Sequence, residues 1–459
     1  LIMMEKILDE FIKIDSKLWN KKIKDDLKKL GHSSIPSYNS KENIKIKPFY
    51  TSEDLNNLKN SDSNYPNSWA ICQNITADNS SDANIKALEL INKGAESINF
   101  IIQNDSILCN DLLKNIDIEK TELFFKIKFH SNSYLKSLND IIKSSSTSFN
   151  ISYDPIGSLV KTGSWDSSMN EDLNKLNKKI NILEKFDNVI IVNSGLYQNS
   201  GANIFEEIAF TLSHANEYLN HLNGKCANKI AFNISMGSNY FFEIAKLKAL
   251  RLLWKTITKE YNNEINFPHI IAKPSKRNKT IYDYNNNILR TTTECMSAIL
   301  GGANTISNIT YDSIFNNKNE YSDKIALNQL LIIKHETYID KVKNAADGSY
   351  YINSLTNTIA EESLKIFKDI EKNGGFISAL EKSIIQKRID NSHRIEQELL
   401  NKNKEKLLGI NIFTDIDQKI KSEINKPILT KSNTRNTEIK PISEIRLAEE
   451  IELSRIKNE

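Results

Sequence analysis

The chain is poor in the residues that usually announce chemistry. Its 459 residues include only four cysteines, Cys72, Cys109, Cys226 and Cys295, and no two of them stand in a CxxC spacing. That excludes a zinc ribbon and a dithiol redox motif, and scattered cysteines of this kind fit a reducing, cytoplasmic setting. With 14 glycines the sequence contains neither a Walker loop nor a GxGxxG turn, so the usual glycine-rich phosphate cradles are missing. No run of about 18 apolar residues without charges occurs, which predicts no membrane-spanning helix. Sixty-one basic residues against 58 acidic ones leave a formal net charge of +3, too balanced for nucleic-acid binding to be read from bulk charge. The opening LIMMEKILDEFIKID carries acids within its apolar stretch and reads as an amphipathic helix, not a signal peptide.

What is present is a regular alternation. Two helical patterns, about 3–14 and 17–30, precede a loop. Eight short apolar runs then follow at 68–73, 97–102, 122–129, 147–152, 188–194, 229–235, 268–273 and 303–309, separated by helical patterns such as 203–222 and 239–256. Strand–helix alternation argues for a parallel sheet, and eight repeats over about 250 residues match a (β/α)8 barrel. The fold expected is α/β: a TIM barrel with an N-terminal helical arm and a helical C-terminal extension. Ser354 and Thr356 are expected N-caps in the extension, and Gly374-Gly375 is expected to end one helix and start another. The expected division is an arm and loop at 1–66, the barrel with its extension at 67–413, and a linker or tail at 414–459, with 425–443 as its most linker-like part.

In a barrel, chemistry sits where strands end. The strand ends here offer Asp105, His130, Asp154, Gln198, Asn239 and Lys273. His130 and Asp154, on neighbouring strands, are the candidate acid–base pair, against the plainer reading of a turn and a surface histidine. The run Lys273-Pro274-Ser275-Lys276-Arg277-Asn278-Lys279 holds four cations after the seventh strand and is a candidate phosphate loop, against a solvated basic loop. His214, Glu217 and His221 share one helix, but their face is expected to be the solvated one, opposite Ile208, Leu212, Ala215, Leu219 and Leu222, so no metal site is expected. Strand alternation places Asn99, Asn150, Ser152, Asn233 and Ser235 toward the barrel axis, hydrogen-bonded to one another or to water, with the apolar partners under the helices.

Several stretches in order resemble the methylmalonyl-CoA mutase family. They include SWAICQNI (68–75), YDPIGSLVKTGSW (153–165), LYQNSGANIFEEIAFTLSHANEYL (196–219), FFEIAKLKALRLLW (241–254), YNNNILRTTTECMSAILGGA (284–303), ETYIDKVKNAADGSYYINSLT (336–356), IEKNGGFISAL (370–380) and LLGINIF (407–413). The resemblance implies a TIM barrel and adenosylcobalamin-dependent rearrangement of acyl-CoA skeletons, with the CoA chain threading a lumen lined by small polar residues. It also has departures. Cobalamin-binding members carry Asp-x-His-x-x-Gly, and no histidine here follows an aspartate at that spacing. Catalytic members carry Tyr-His just before Gln-x-x-Gly-Ala, and anchoring on Gln198, Gly201 and Ala202 puts Gly195 and Leu196 in those places. The sequence ends at Glu459, where a cobalamin-type domain begins in longer relatives.

These departures are similar to the small, non-catalytic subunit of heterodimeric mutases. The resemblance then implies a structural chain paired with a large catalytic subunit that converts (R)-methylmalonyl-CoA to succinyl-CoA in propionate metabolism. Adenosylcobalamin would belong to the complex and not be bound through this chain. Catalytic residues would be none, with Gln198, Asn239, Lys273 and Ser275 as remnants of a pocket. The alternatives are a competent barrel served by a separate cobalamin subunit, or a barrel of other chemistry using His130 and Asp154.

Overall fold

The computed structural model describes residues 15–459 apart from 33–34, 36, 56–67, 143–146, 264–266, 318 and 429–436. The helix expected at 3–14 lies outside the described residues. Eight parallel strands form one sheet: β1 (Ala70–Ala77), β2 (Ser97–Ile102), β3 (Glu122–Ile127), β4 (Phe149–Ile151), β5 (Ile190–Asn193), β6 (Ile230–Met236), β7 (Ile270–Pro274) and β8 (Thr305–Ile306). The order β4-β3-β2-β1-β8-β7-β6-β5 follows the chain around a ring. The ring closes between β4 and β5, where Asp187 N–H donates to Phe149 O (2.9 Å), Ile151 N–H to Asn188 O (2.9 Å) and Tyr153 N–H to Val189 O (3.1 Å). This is the (β/α)8 barrel anticipated from the eight apolar runs.

Alternation along each strand builds two cores. Ile71 and Ile75, Ile98 and Phe100, Leu123 and Phe125, Phe149 and Ile151, Ile190 and Val192, Phe232 and Ile234 all turn outward into the main core beneath the helices. The opposite face contributes a separate cluster of five: Cys72, Phe124, Ile191, Ala231 and Ile271, from five strands. These meet on the axis and plug the lumen. The lumen is therefore not uniformly small and polar: an apolar layer crosses it, as in ordinary barrels. The polar residues expected there do face the axis, but they bond to other partners. Asn99 donates to Asn74 (2.7 Å), Asn74 donates to Ser307 (2.8 Å), and Asn150 accepts from Asn188 (2.7 Å).

Below the plug lies a buried polar layer. Thr305 Oγ1 reaches across the barrel to Glu122 (2.7 Å) and meets His269 Nε2 (2.9 Å), whose ring stands edge-on to Phe124 at 5.8 Å. Burial pushes the Glu122 carboxyl up to about 7. Burial, with Arg251 nearby, lowers His269 to about 3 and keeps it neutral.

The extension differs in detail from expectation. Its long helix is Tyr350–Lys372, and its N-cap is Ser349, whose hydroxyl accepts from Ile352 N–H; Ser354 and Thr356 lie inside it. Gly374 (φ 104°) and Gly375 (φ 86°) break the chain before Gly375–Glu381, as the glycine pair predicts. Residues 437–447, within the segment expected as linker or tail, lie across the strand ends. Ile439 N–H bonds Gly163 O, Ile442 N–H bonds Val160 O, Ile445 N–H bonds Asn199 O and Leu447 N–H bonds Arg277 O. A closing helix, Glu449–Asn458, is anchored by Glu452, fully buried, which pairs with Arg446 and accepts from Ile281 N–H (2.7 Å). At the other end the Ser16–Lys29 helix buries no residue. No helix among the described residues is long and apolar enough to cross a membrane.

Candidate functional site

The C-terminal strand ends gather the candidate residues, though not in the pairings the sequence suggests. Asp154 caps the Pro155–Thr162 helix, accepting from Gly157 N–H (2.9 Å). Its histidine partner is His214, whose Nε2 lies 2.9 Å away, and Tyr218 OH donates to the same carboxylate at 2.6 Å. His214 Nδ1 in turn meets Tyr197 OH at 2.9 Å. Burial alone would raise the Asp154 carboxyl, but His214, Tyr218 and Gly157 N–H bring it below the ordinary value.

His130 sits elsewhere, half-exposed, 3.3 Å from Asp166 and 3.2 Å from Lys179 Nζ. The His130–Asp154 pair is therefore not formed. His214 is fully buried rather than solvated, because the Ile204–His221 helix is covered on nearly every side. Glu217 accepts from Ile377 N–H (3.0 Å), and His221 is exposed, so the three do not converge on a metal; no metal-ligating group of three occurs among the described residues.

The loop after β7 is neither a phosphate cradle nor a solvated loop. Lys279 is buried against Glu294 (2.7 Å) and Arg277 against Glu396 (2.6 Å), while Lys276 pairs with Glu444 (2.7 Å). Three of its four cations are thus neutralised by acids from distant parts of the chain. Lys273, on the lumen face of β7 in register with Ser235, makes no ion pair among the described residues.

Gln198 and Ser275 do meet: Ser275 Oγ donates to Gln198 Oε1 (2.8 Å). With Asn239 they line a cavity of about 500 Å³ beside the strand ends, bounded also by Phe242, Arg277 and Glu396. Lys273 does not join them. Arg277 closes the cavity's far wall, held by Glu396, His393 (2.9 Å) and Ile445 O (2.8 Å). Burial opposes the Glu396 charge, yet Lys41 and Arg277 hold its carboxyl at about 2.

Beside this cavity is a buried network whose members the sequence does not single out. Lys246 Nζ lies 2.9 Å from Glu207 and 2.6 Å from Glu243, all three buried, and Ser194 Oγ donates to Glu207 (2.7 Å). Burial, with Glu243 adding repulsion, pushes Glu207 up to about 7 even beside Lys246. The available signal was the dense apolar residues that surround these charges in both helices, FEEIAFTL and EIAKLKAL.

Gly195 begins the short helix that carries Gln198. A Cβ at Gly195 would stand 2.7 Å from Ser235 Oγ, 3.1 Å from Asn193 Oδ1 and 3.2 Å from Asn199 Nδ2. Leu196 packs on the main core. Comparison with known proteins places this geometry. Residues 109–453 match the family model described as methylmalonyl-CoA mutase. The methylmalonyl-CoA mutase small subunit of Porphyromonas gingivalis is 33% identical over 449 residues, covering 90% of this chain and 72% of that protein. The chain belongs to the methylmalonyl-CoA mutase family. Within this family it is also similar to the mutase of Rhizobium meliloti (31% over 278 residues) and to the mitochondrial mutase of Bos taurus (29% over 277 residues). Each of those matches takes in 58% of the chain, and the chain spans only 38% and 36% of those longer mutases.

Proposed function

We propose that this chain is the structural, small subunit of a heterodimeric methylmalonyl-CoA mutase, with isomerisation of (R)-methylmalonyl-CoA to succinyl-CoA carried by a large subunit. The observation that carries this reading is the packing around Gly195 and Leu196. These stand where catalytic relatives are expected to have a Tyr-His pair. Any side chain at 195 meets three polar atoms at 2.7–3.2 Å, and a leucine at 196 can neither donate nor accept a proton. The apolar layer in the lumen supports the same reading: Cys72, Phe124, Ile191, Ala231 and Ile271 cluster where a CoA arm along the axis would have to pass.

Adenosylcobalamin held through a cobalt-binding histidine does not fit the residues present. His214 is engaged by Asp154 and Tyr197, His269 by Thr305, His393 by Arg277, and His130 by Asp166 and Lys179. His32, His221 and His335 lie on exposed surface. No step is therefore routed through the cofactor on this chain, and the expected site residues are none. Gln198, Asn239 and Ser275 line a retained cavity, and Lys273 faces the lumen.

The test is co-expression with a large mutase subunit from the same source. A stable one-to-one complex that isomerises methylmalonyl-CoA, from a chain that turns over none by itself with adenosylcobalamin supplied, supports the proposal. Turnover by the chain alone, or separate elution of the two chains at micromolar concentration, overturns it.

A further inference from the structure

The cavity of about 500 Å³ beside the strand ends falls within the size of small-molecule sites, about 300–1,000 Å³. The subunit reading gives it no ligand. Much of its wall is apolar. Phe242, Leu407 and Leu447 are buried there, while Leu289, Ile395 and Leu408 keep 66%, 43% and 39% of their surface exposed and stand at its mouth. Large aliphatic side chains left in water around a concave opening suit the covering of an apolar body.

Arg290, on the Asn286–Leu300 helix, lines the same cavity and is half-buried. Its Nη1 donates to Thr280 Oγ1 (2.9 Å) and Asn287 Oδ1 (2.8 Å), and its Nη2 donates to Leu408 O (2.9 Å). All of these acceptors are neutral. They leave the Nε–H and one Nη2–H, adjacent donors of the kind that grip a carboxylate through two parallel bonds. The neighbouring acids are engaged: Glu294 with Lys279 (2.7 Å), Glu452 with Arg446, and Asp283 with Asn286 Nδ2. Elsewhere the fold pairs its buried cations with acids, as at Lys246, Lys279 and Arg277. On the cavity wall Lys41 and Arg277 share Glu396, and Lys406 is exposed to solvent. Arg290 is thus the half-buried cation of this wall that has no ion pair among the described residues.

We infer that this cavity binds a monocarboxylate with an aliphatic body, its carboxylate held by Arg290 and its chain covered by Leu289, Ile395, Leu408 and Phe242. Glu42, Glu243 and Glu405 also line the cavity. Their charges disfavour a ligand that carries more than one negative charge, such as a phosphate monoester. An amphipathic amine would meet the unpaired guanidinium of Arg290 as a like charge. The site goes beyond the subunit reading and does not depend on it.

Calorimetric titration of the full chain with octanoate tests this, with octylamine and octyl phosphate as comparison probes of the same chain length. Octanoate is expected to bind more tightly than either. Arg290→Gln weakens octanoate binding about tenfold or more. Leu289→Asp, at an exposed position where folding is little disturbed, sets a like charge at the mouth and weakens binding in the same sense. Arg394→Gln, at a surface arginine paired with Glu398 (2.6 Å), leaves it unchanged. Absence of octanoate binding at millimolar concentration overturns the inference. So does equal or tighter binding of octylamine or octyl phosphate, or undiminished octanoate binding by either folded variant, Arg290→Gln or Leu289→Asp.

Discussion

Asp154 and His214 lie 2.9 Å apart and hold the end of β4 against the Ile204–His221 helix. Asp154 takes three donors at once: His214, Tyr218 OH and Gly157 N–H. Asp154→Ala removes that acceptor and leaves the donors unpaired in a buried place. The expected loss of stability is on the order of 3 kcal/mol, read by urea denaturation. Because the Asp154 carboxyl is held below its ordinary value, its contribution is full above pH ~4 and fades as pH falls. The difference between wild type and variant should shrink in acid, and a pH-independent difference counts against the network.

Gly195 and Ser235 leave no space for a side chain between them. Gly195→Tyr combined with Leu196→His, which would rebuild the expected catalytic pair, should cost about 1–3 kcal/mol through overpacking. It should produce no mutase activity in the chain by itself. Isomerase turnover by the double variant with adenosylcobalamin would contradict the structural role.

Phe124 is the largest side chain in the lumen plug. Phe124→Ala should cost about 3–5 kcal/mol, because the surrounding strands cannot collapse onto the void. Phe124→Leu should cost much less. Equal, small losses in both variants would mean the plug is loosely packed.

Glu122 makes stability fall as pH rises. Its carboxyl, near 7 in the fold against 4.5 ordinarily, binds a proton more tightly folded than unfolded. Its stabilising share is present below about pH 4.5 and is lost as pH climbs through 7. Glu207 and Glu371 shift in the same sense. Glu122→Gln should flatten the decline between pH 5 and 8 by up to about 3 kcal/mol. Denaturation curves across that range check it, and an unchanged slope refutes it.

The Ser16–Lys29 helix touches the rest of the chain lightly, through Ser16 with Glu53 and the edge-on contact of Trp19 with Phe49 at 6.1 Å. Leu18, Trp19 and Leu30 remain exposed. Deleting residues 1–30 should leave the barrel's melting temperature within about 2 °C, since little is buried there. It should weaken association with a large mutase subunit, measured by analytical ultracentrifugation. A collapse of the melting temperature would make the helix part of the barrel instead of an arm.

Much of the architecture was legible in the chain. Eight apolar runs in order, with helical patterns between them, are local features, and β-strand alternation assigns inward and outward faces without any knowledge of neighbours. Phe100, Ile102, Phe149 and Ile151 fall outward under the helices as alternation requires. The same rule puts Phe124 inward on the next strand, so its place in the apolar layer on the axis was readable by extending it one strand further. The Gly374-Gly375 break was equally local.

Pairing was not legible. His130 and Asp154 are neighbours in strand order, yet each found another partner, because the barrel packs Asp154 against a helix that begins 50 residues later. Arg277 and Lys279 look like free surface cations beside each other in sequence. In the fold Arg277 meets Glu396 and Lys279 meets Glu294. Glu207 and Lys246, on separate helices, meet in the core. Sequence alone determined the barrel, its order of elements and the faces of its strands, since these follow from periodicities of two and about 3.6 residues. Only the tertiary structure decided which charges are neutralised and which stay free, because an ion pair depends on a distance of a few ångströms between residues that the chain holds far apart.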